Sequence, residues 1–102
     1  MAFHFVDYRN QEIELADEVY QTILVKHPEV KQFFDRIGEV LARPDVVRKS
    51  QTDVRVNLYY KFYADILKGK YVVAMVKLAD RYFISTFYAT DKIKEGEIVW
   101  KR

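Results

Sequence analysis

The chain predicts an α+β two-layer domain: N-terminal helices packed on one face of a roughly four-stranded antiparallel sheet, with the opposite face partly open. Three observations predict it. From Ala16 to Leu41, apolar residues recur at three- and four-residue steps, the helical period. From Val46 onward the period is two. The stretch Tyr71–Tyr88 contains neither Gly nor Pro, is rich in β-branched and aromatic residues, and divides at Ala79-Asp80 into two halves that read as adjacent central strands.

Met1 to Asn10 holds Phe3, Phe5 and Val6 around His4 and reads as a short edge strand or an arm over the core, and Glu12 to Leu15 as extended. Ala16, Val19, Tyr20, Ile23, Leu24 and His27 form the apolar stripe of a first helix, with Asp17 and Glu18 in the first turn, where the helix dipole favours acids. Pro28 ends that helix and suits the first position of a second. Val30, Phe33, Phe34, Ile37, Val40 and Leu41 stripe the second helix, and Pro44-Asp45 closes it. Val46–Ser50 reads as a first strand, Gln51–Asp53 as a turn and Val54–Tyr63 as a long strand. Leu67–Lys70 reads as a turn before the central pair. Ala89–Gly96 reads as a charged loop, and Glu97–Lys101 as a last strand carrying Trp100.

At 102 residues the chain is one domain, residues 1–102, and at 50% hydrophobic it can build its own core. It contains no cysteine, which removes disulfides and thiolate chemistry, and its two histidines are too few for a histidine-rich metal site. No metal and no cofactor are expected. No apolar run approaches the roughly 18 residues of a membrane span, and no basic-then-apolar leader opens the chain. The expectation is a cytoplasmic protein that does not enter a membrane.

Net charge is only +2. Glu12 to Asp45 is acid-rich, whereas Arg43, Arg48, Lys49, Arg55, Lys61, Lys68, Lys70, Lys92, Lys94, Lys101 and Arg102 collect on the strand-rich part, among Tyr59, Tyr60, Tyr63, Tyr71, Tyr82 and Tyr88. Cations interleaved with aromatics suit single-stranded nucleic acid. They equally suit a solvated sheet rimmed by lysines that discourage edge pairing. Gly-rich phosphate loops, zinc-protease helices and nucleophile elbows are absent. His27 ends the first helix beside Pro28. It reads as a proton-transfer group or as a semi-buried histidine bonded to a carbonyl.

His27-Pro28-Glu29-Val30, Arg43-Pro44-Asp45-Val46-Val47, Ser50, Leu58-Tyr59-Tyr60-Lys61 and the run Phe83 to Glu97 together resemble the phage-associated branch of the barnase, EndoU, colicin and RelE-like nuclease superfamily, in order and spacing, over about residues 13 to 100. The resemblance implies the fold above. It also implies a toxin-like, mobile-element-associated ribonuclease that cleaves RNA without metal by 2′-hydroxyl transesterification, with RNA and a cognate antitoxin protein as partners. The catalytic residues it implies are His27, Lys61 and Thr86. For substrate binding it implies Arg48, Lys49, Tyr60, Tyr88, Lys92 and Lys94. Thr22 stands where many relatives carry a further histidine, which leaves a non-catalytic RNA- or protein-binding module as the alternative. Two facings of Thr86 stay open. A two- or four-residue turn at Ala79-Asp80 sets it on the side of Val73 and Lys77; a three-residue turn sets it with Ala74 under the helices.

Overall fold

A computed structural model describes all residues, 1–102. Its strands are β1 (Ala2–Val6), β2 (Glu12–Ala16), β3 (Val46–Lys49), β4 (Val56–Tyr63), β5 (Lys70–Leu78), β6 (Tyr82–Thr90) and β7 (Ile98–Lys101). The helical region between β2 and β3 comprises α1 (Asp17–Lys26), a 3-10 segment (Pro28–Arg36) and α2 (Ile37–Ala42).

The expected roughly four-stranded antiparallel sheet with N-terminal helices is corrected here. The sheet has seven strands in the order β1-β2-β6-β5-β4-β3-β7, and it is mixed, because β2 runs parallel to β6. A β-hairpin precedes the helical region, and the two α-helices are short. The N-terminal hairpin follows from Ile13 and Leu15, which alternate with Glu12 and Glu14 and are wholly buried. Asp7 organises its turn: Oδ1 accepts the amides of Arg9 and Gln11 at 2.9 Å each, while Asn10 takes the left-handed conformation, φ 64°.

The predicted second helix divides. Phe33 leaves helical geometry at φ −131°, ψ 22°, which breaks Pro28–Arg36 into two short 3-10 turns before α2 starts at Ile37. Val30 and Phe33, three apart on either side of the first turn, are both buried. The long strand starts at Val56 rather than Val54, because Val56 N donates to Asp53 O across a turn. β6 runs on to Thr90, so the charged connection is shorter than predicted.

Tyr59, Tyr63, Val72, Ala74, Val76, Ile84 and Phe87 of the sheet pack with Ile23, Val30, Phe33, Ile37, Val40 and Leu41 of the helical region in one 17-residue core. The sheet coils strongly. Tyr8, just past β1, lies against Trp100 of β7 with ring centroids 4.8 Å apart, although β1 and β7 are its outermost strands. The opposite face carries a smaller cluster of Val46, Leu58, Tyr60 and Val73. Because β7 pairs with β3 on the far side of the sheet, the chain from Asp91 to Glu97 must cross back over this second face. Ile93 packs on the small cluster, and Lys94 N donates to the Tyr60 hydroxyl at 3.0 Å.

Gly96 makes this crossing possible. A Cβ there would lie 2.3 Å from the Lys49 carbonyl oxygen, in the segment where Lys49 N bonds Glu97 O. Gly96→Ala is expected to cost about 1–3 kcal/mol by forcing the crossing segment off β3. Thermal melting checks this, and a variant that melts with the parent would show that the crossing does not need the close approach.

Candidate functional site

One irregularity decides what faces the open side. Leu78 pairs with Tyr82, which leaves a three-residue turn, Ala79–Arg81. That turn alone would set Thr86 opposite Ala74. A bulge intervenes at Met75/Val76: Val76 pairs with Ile84, whereas Met75 pairs with Thr86. Ser85 is the extra residue, its Oγ donating to Met75 O at 3.3 Å. Ile84 and Phe87 both enter the main core, so Ser85 and Thr86 are carried together to the other side. Two neighbouring hydroxyls thus share one face, which strict alternation forbids.

Helix α1 lies along β6 beyond the short β2 pairing, which covers only Tyr82 and Phe83. Its outer residues Glu18, Thr22 and Lys26 form a cleft of about 310 Å³ with Ser85 and Thr86. Thr22 Oγ1 donates back to Glu18 O at 3.0 Å. The chain then leaves the helix through His27, whose amide bonds Ile23 O at 2.7 Å. The His27 ring stacks on Tyr88 at 5.1 Å and 20°. Its Nδ1 lies 3.6 Å from Glu29 Oε1, and the two side chains are 36% and 34% exposed. His27 therefore stands at the helix end, half exposed, with a carboxylate beside one ring nitrogen and the other nitrogen without a protein partner.

Lys61 is not part of this group. It follows Tyr60 on β4 and points to the core side, where its Nζ donates to Arg43 O at 3.0 Å and lies 3.8 Å from Asp45 Oδ1. Lys61 therefore does not join the predicted convergence; His27 stacks on Tyr88, two residues along β6 from Thr86. Lys61 instead fixes the Arg43–Asp45 corner, in which Asp45 also accepts Phe62 N at 2.8 Å and pairs with Arg102 at 3.4 Å.

Tyr60 is buried, and its hydroxyl holds the crossing segment. Burial pushes that hydroxyl above its ordinary value, partly offset by the Lys94 amide. Lys92 and Lys94 are exposed on the crossing segment. Arg48 shares a rung of the open face with Thr86, since Thr86 pairs with Met75, Met75 with Leu58 and Leu58 with Arg48. Its Nη1 reaches Gly96 O at 3.4 Å, and its Nε is buried without a partner.

The clefts adjoin one another. Ser85 also borders a second cleft of about 240 Å³, floored by Leu58 and Met75 and walled by Ser50–Asp53 on one side and Lys94-Glu95 on the other. Ser50, Gln51 and Glu95 in turn border a third, wholly polar cleft that holds Arg48, Lys49 and Gly96. A trench thus runs from α1 to β3 across the strands. Sequence reasoning missed Lys26, Ser85 and Thr52 in it. The adjacent hydroxyls at 85 and 86 were visible, but the bulge that turns both outward was not. No group of three or more His, Asp or Glu side chains comes together to hold a metal, and no helix is long and apolar enough to cross a membrane. No protein-family model matches the chain, and no curated protein or solved structure shows significant similarity to it.

Proposed function

We propose that this chain is a metal-independent RNA-cleaving domain whose reaction centre lies where the end of α1 meets the β6 bulge. The observation that carries the proposal is the meeting of His27 and Tyr88 in one ring stack, beside a cleft that Thr22, Lys26 and Thr86 share, although these residues come from opposite halves of the chain. His27 withdraws the proton of a ribose 2′-hydroxyl. The 2′-oxygen attacks the adjacent phosphorus, and the bond from phosphorus to the 5′-oxygen breaks. The imidazolium returns its proton to that leaving oxygen, so the enzyme ends as it began and the products are a 2′,3′-cyclic phosphate and a free 5′-hydroxyl. Thr86 donates a hydrogen bond to a phosphoryl oxygen, and Lys26 opposes the charge that builds on the phosphorane. Glu29 holds the ring by the nitrogen not used.

Incubating the protein with end-labelled RNA in excess chelator tests this. Cleavage is expected with the chelator present. Intact RNA at high protein excess, or cleavage only on adding a divalent metal, would overturn it.

One observation favours a second reading, an RNA-binding module that does not cleave. Lys61 is committed to Arg43 O and Asp45, and a threonine occupies position 22, which leaves a single imidazole and no arginine fork at the reaction centre. That reading predicts salt-sensitive RNA retention without products, because released counterions drive phosphate binding.

A further inference from the structure

The three adjoining clefts extend well beyond the group around His27. The rung Thr86–Met75–Leu58–Arg48 spans three inter-strand steps, about 14 Å at the usual strand spacing. Each cleft differs in chemistry. The one at α1 offers hydroxyls and Lys26, with Glu18 beside them and Val19 and Ile23 beneath. The middle one has an apolar floor of Leu58 and Met75 beneath a rim of hydroxyls and Lys94. The far one has no apolar residue and contains Arg48 and Lys49 together with Glu95 and Glu97. Arg48 is short of partners, having one long bond to Gly96 O and an Nε with none, and a buried guanidinium donor left unpaired is costly. An oxyanion in the far cleft would be met by a guanidinium whose only protein hydrogen bond is long.

We propose that the trench is a run of consecutive subsites for single-stranded RNA longer than a dinucleotide. A base lies on Met75 and Leu58 in the middle cleft, and a phosphate further along the strand pairs with Arg48 and Lys49. The inference takes its starting end from the reaction centre proposed above, but the binding it describes does not require cleavage. A flat base suits the apolar floor, where the Met75 thioether favours an aromatic ring. Cations at both ends suit a chain that is charged between its bases. Of the carboxylates lining the middle and far clefts, Asp53 is already engaged by Lys77 at 3.1 Å and by the Arg55 amide, Glu97 stands beside Arg48 and Lys49 in the far cleft, and Glu95 is left to accept from the amino edge of a base. An extended peptide is a poorer occupant. Peptides add to sheets along a free backbone edge, whereas this trench crosses strands β3 to β6, whose ladders are already paired.

The test uses fluorescein-labelled 2′-O-methyl RNA of two, three, four and six nucleotides, which binds but offers no 2′-hydroxyl to cleave. Anisotropy is measured at low salt. Affinity is expected to rise roughly tenfold between two and four nucleotides. Thr52→Trp fills the middle cleft from an exposed loop position and is expected to remove that rise. Lys94→Glu should weaken the longer RNAs in the same way without filling the cleft. Circular dichroism verifies that both variants fold. A rise with length in a protein that fails to cleave RNA in chelator would support the trench and remove the catalytic reading. No binding at any length, or a rise unchanged by Thr52→Trp, would overturn the trench.

Discussion

Asp7→Ala is expected to lower stability by about 3–5 kcal/mol, or roughly 15–25 °C in melting temperature for a domain of this size. Asp7 is the one buried acidic residue, 4% exposed. Its carboxylate accepts the Arg9 and Gln11 amides and the Tyr59 hydroxyl at 2.8 Å. Alanine strands all three donors, one of them at the centre of the core, and loosens the hairpin that lets Tyr8 reach Trp100. Asp7→Asn, which retains an acceptor oxygen, should lose much less. A pH scan tests the same contact. Burial, then the bond to Asp7, pushes the Tyr59 hydroxyl far above its ordinary 10.0. Burial, then a bond to Glu39, does the same for Tyr63. With folded values above unfolded ones, their contribution is complete below pH 10 and is lost as pH climbs beyond it, because only the unfolded chain gives up the proton there. Denaturant melts across that window should therefore show falling stability in the parent. An Asp7→Ala variant within about 1 kcal/mol of the parent would show that Tyr59 finds another acceptor.

His27→Ala is expected to cost less than about 1 kcal/mol of stability while lowering RNA cleavage by at least about a hundredfold. The low stability cost follows from the surroundings of the ring. It is half exposed, touches Tyr88 by stacking and faces Glu29 at 3.6 Å. The helix end is held by the His27 amide and carbonyl, which alanine keeps. A histidine bonded within the core would behave in the opposite way, since its removal strands a partner. Thermal unfolding and cleavage measured on the same preparation separate the two outcomes. A variant that melts early yet cleaves at full specific activity when folded would remove His27 from the chemistry.

Much of this could be read along the chain, where local periodicity carries the information. The alternation in Tyr71–Leu78 correctly marked a central strand, β5, and the 3.6-residue stripe through Val19 and Ile23 marked α1. Helical spacing at Val30, Phe33 and Ile37 was read as one helix, but a kink at Phe33 keeps the same buried side with different winding. Strand count failed for a different reason. Glu97–Lys101 reads as a strand and Met1–Asn10 and Glu12–Leu15 as extended or an arm, but segments of four or five residues carry too little alternation to say that they join the main sheet. The parallel pairing of β2 with β6 is set by where the helical region returns the chain, which no local pattern encodes. Of the residues expected to act together, His27 lies against Tyr88 and Thr86 lines the neighbouring cleft, whereas Lys61 stands apart. Its position beside Tyr60 suggested a shared surface, yet successive strand residues face opposite sides. Lys61 turned inward to Asp45 and Arg43. The facing of Thr86 depended on the Ser85 bulge, an insertion invisible to turn-length reasoning.

The most direct measurement is the end chemistry of the RNA fragments. Parent protein and His27→Ala are each incubated with a single-stranded RNA of known sequence in excess chelator, and the fragments are weighed by mass spectrometry. Transesterification at His27 gives 5′ fragments ending in a 2′,3′-cyclic phosphate and 3′ fragments beginning with a 5′-hydroxyl, made by the parent and nearly absent with His27→Ala. Unbroken RNA that nonetheless stays bound to the protein, or fragments with a 5′-phosphate, would contradict transesterification at this site.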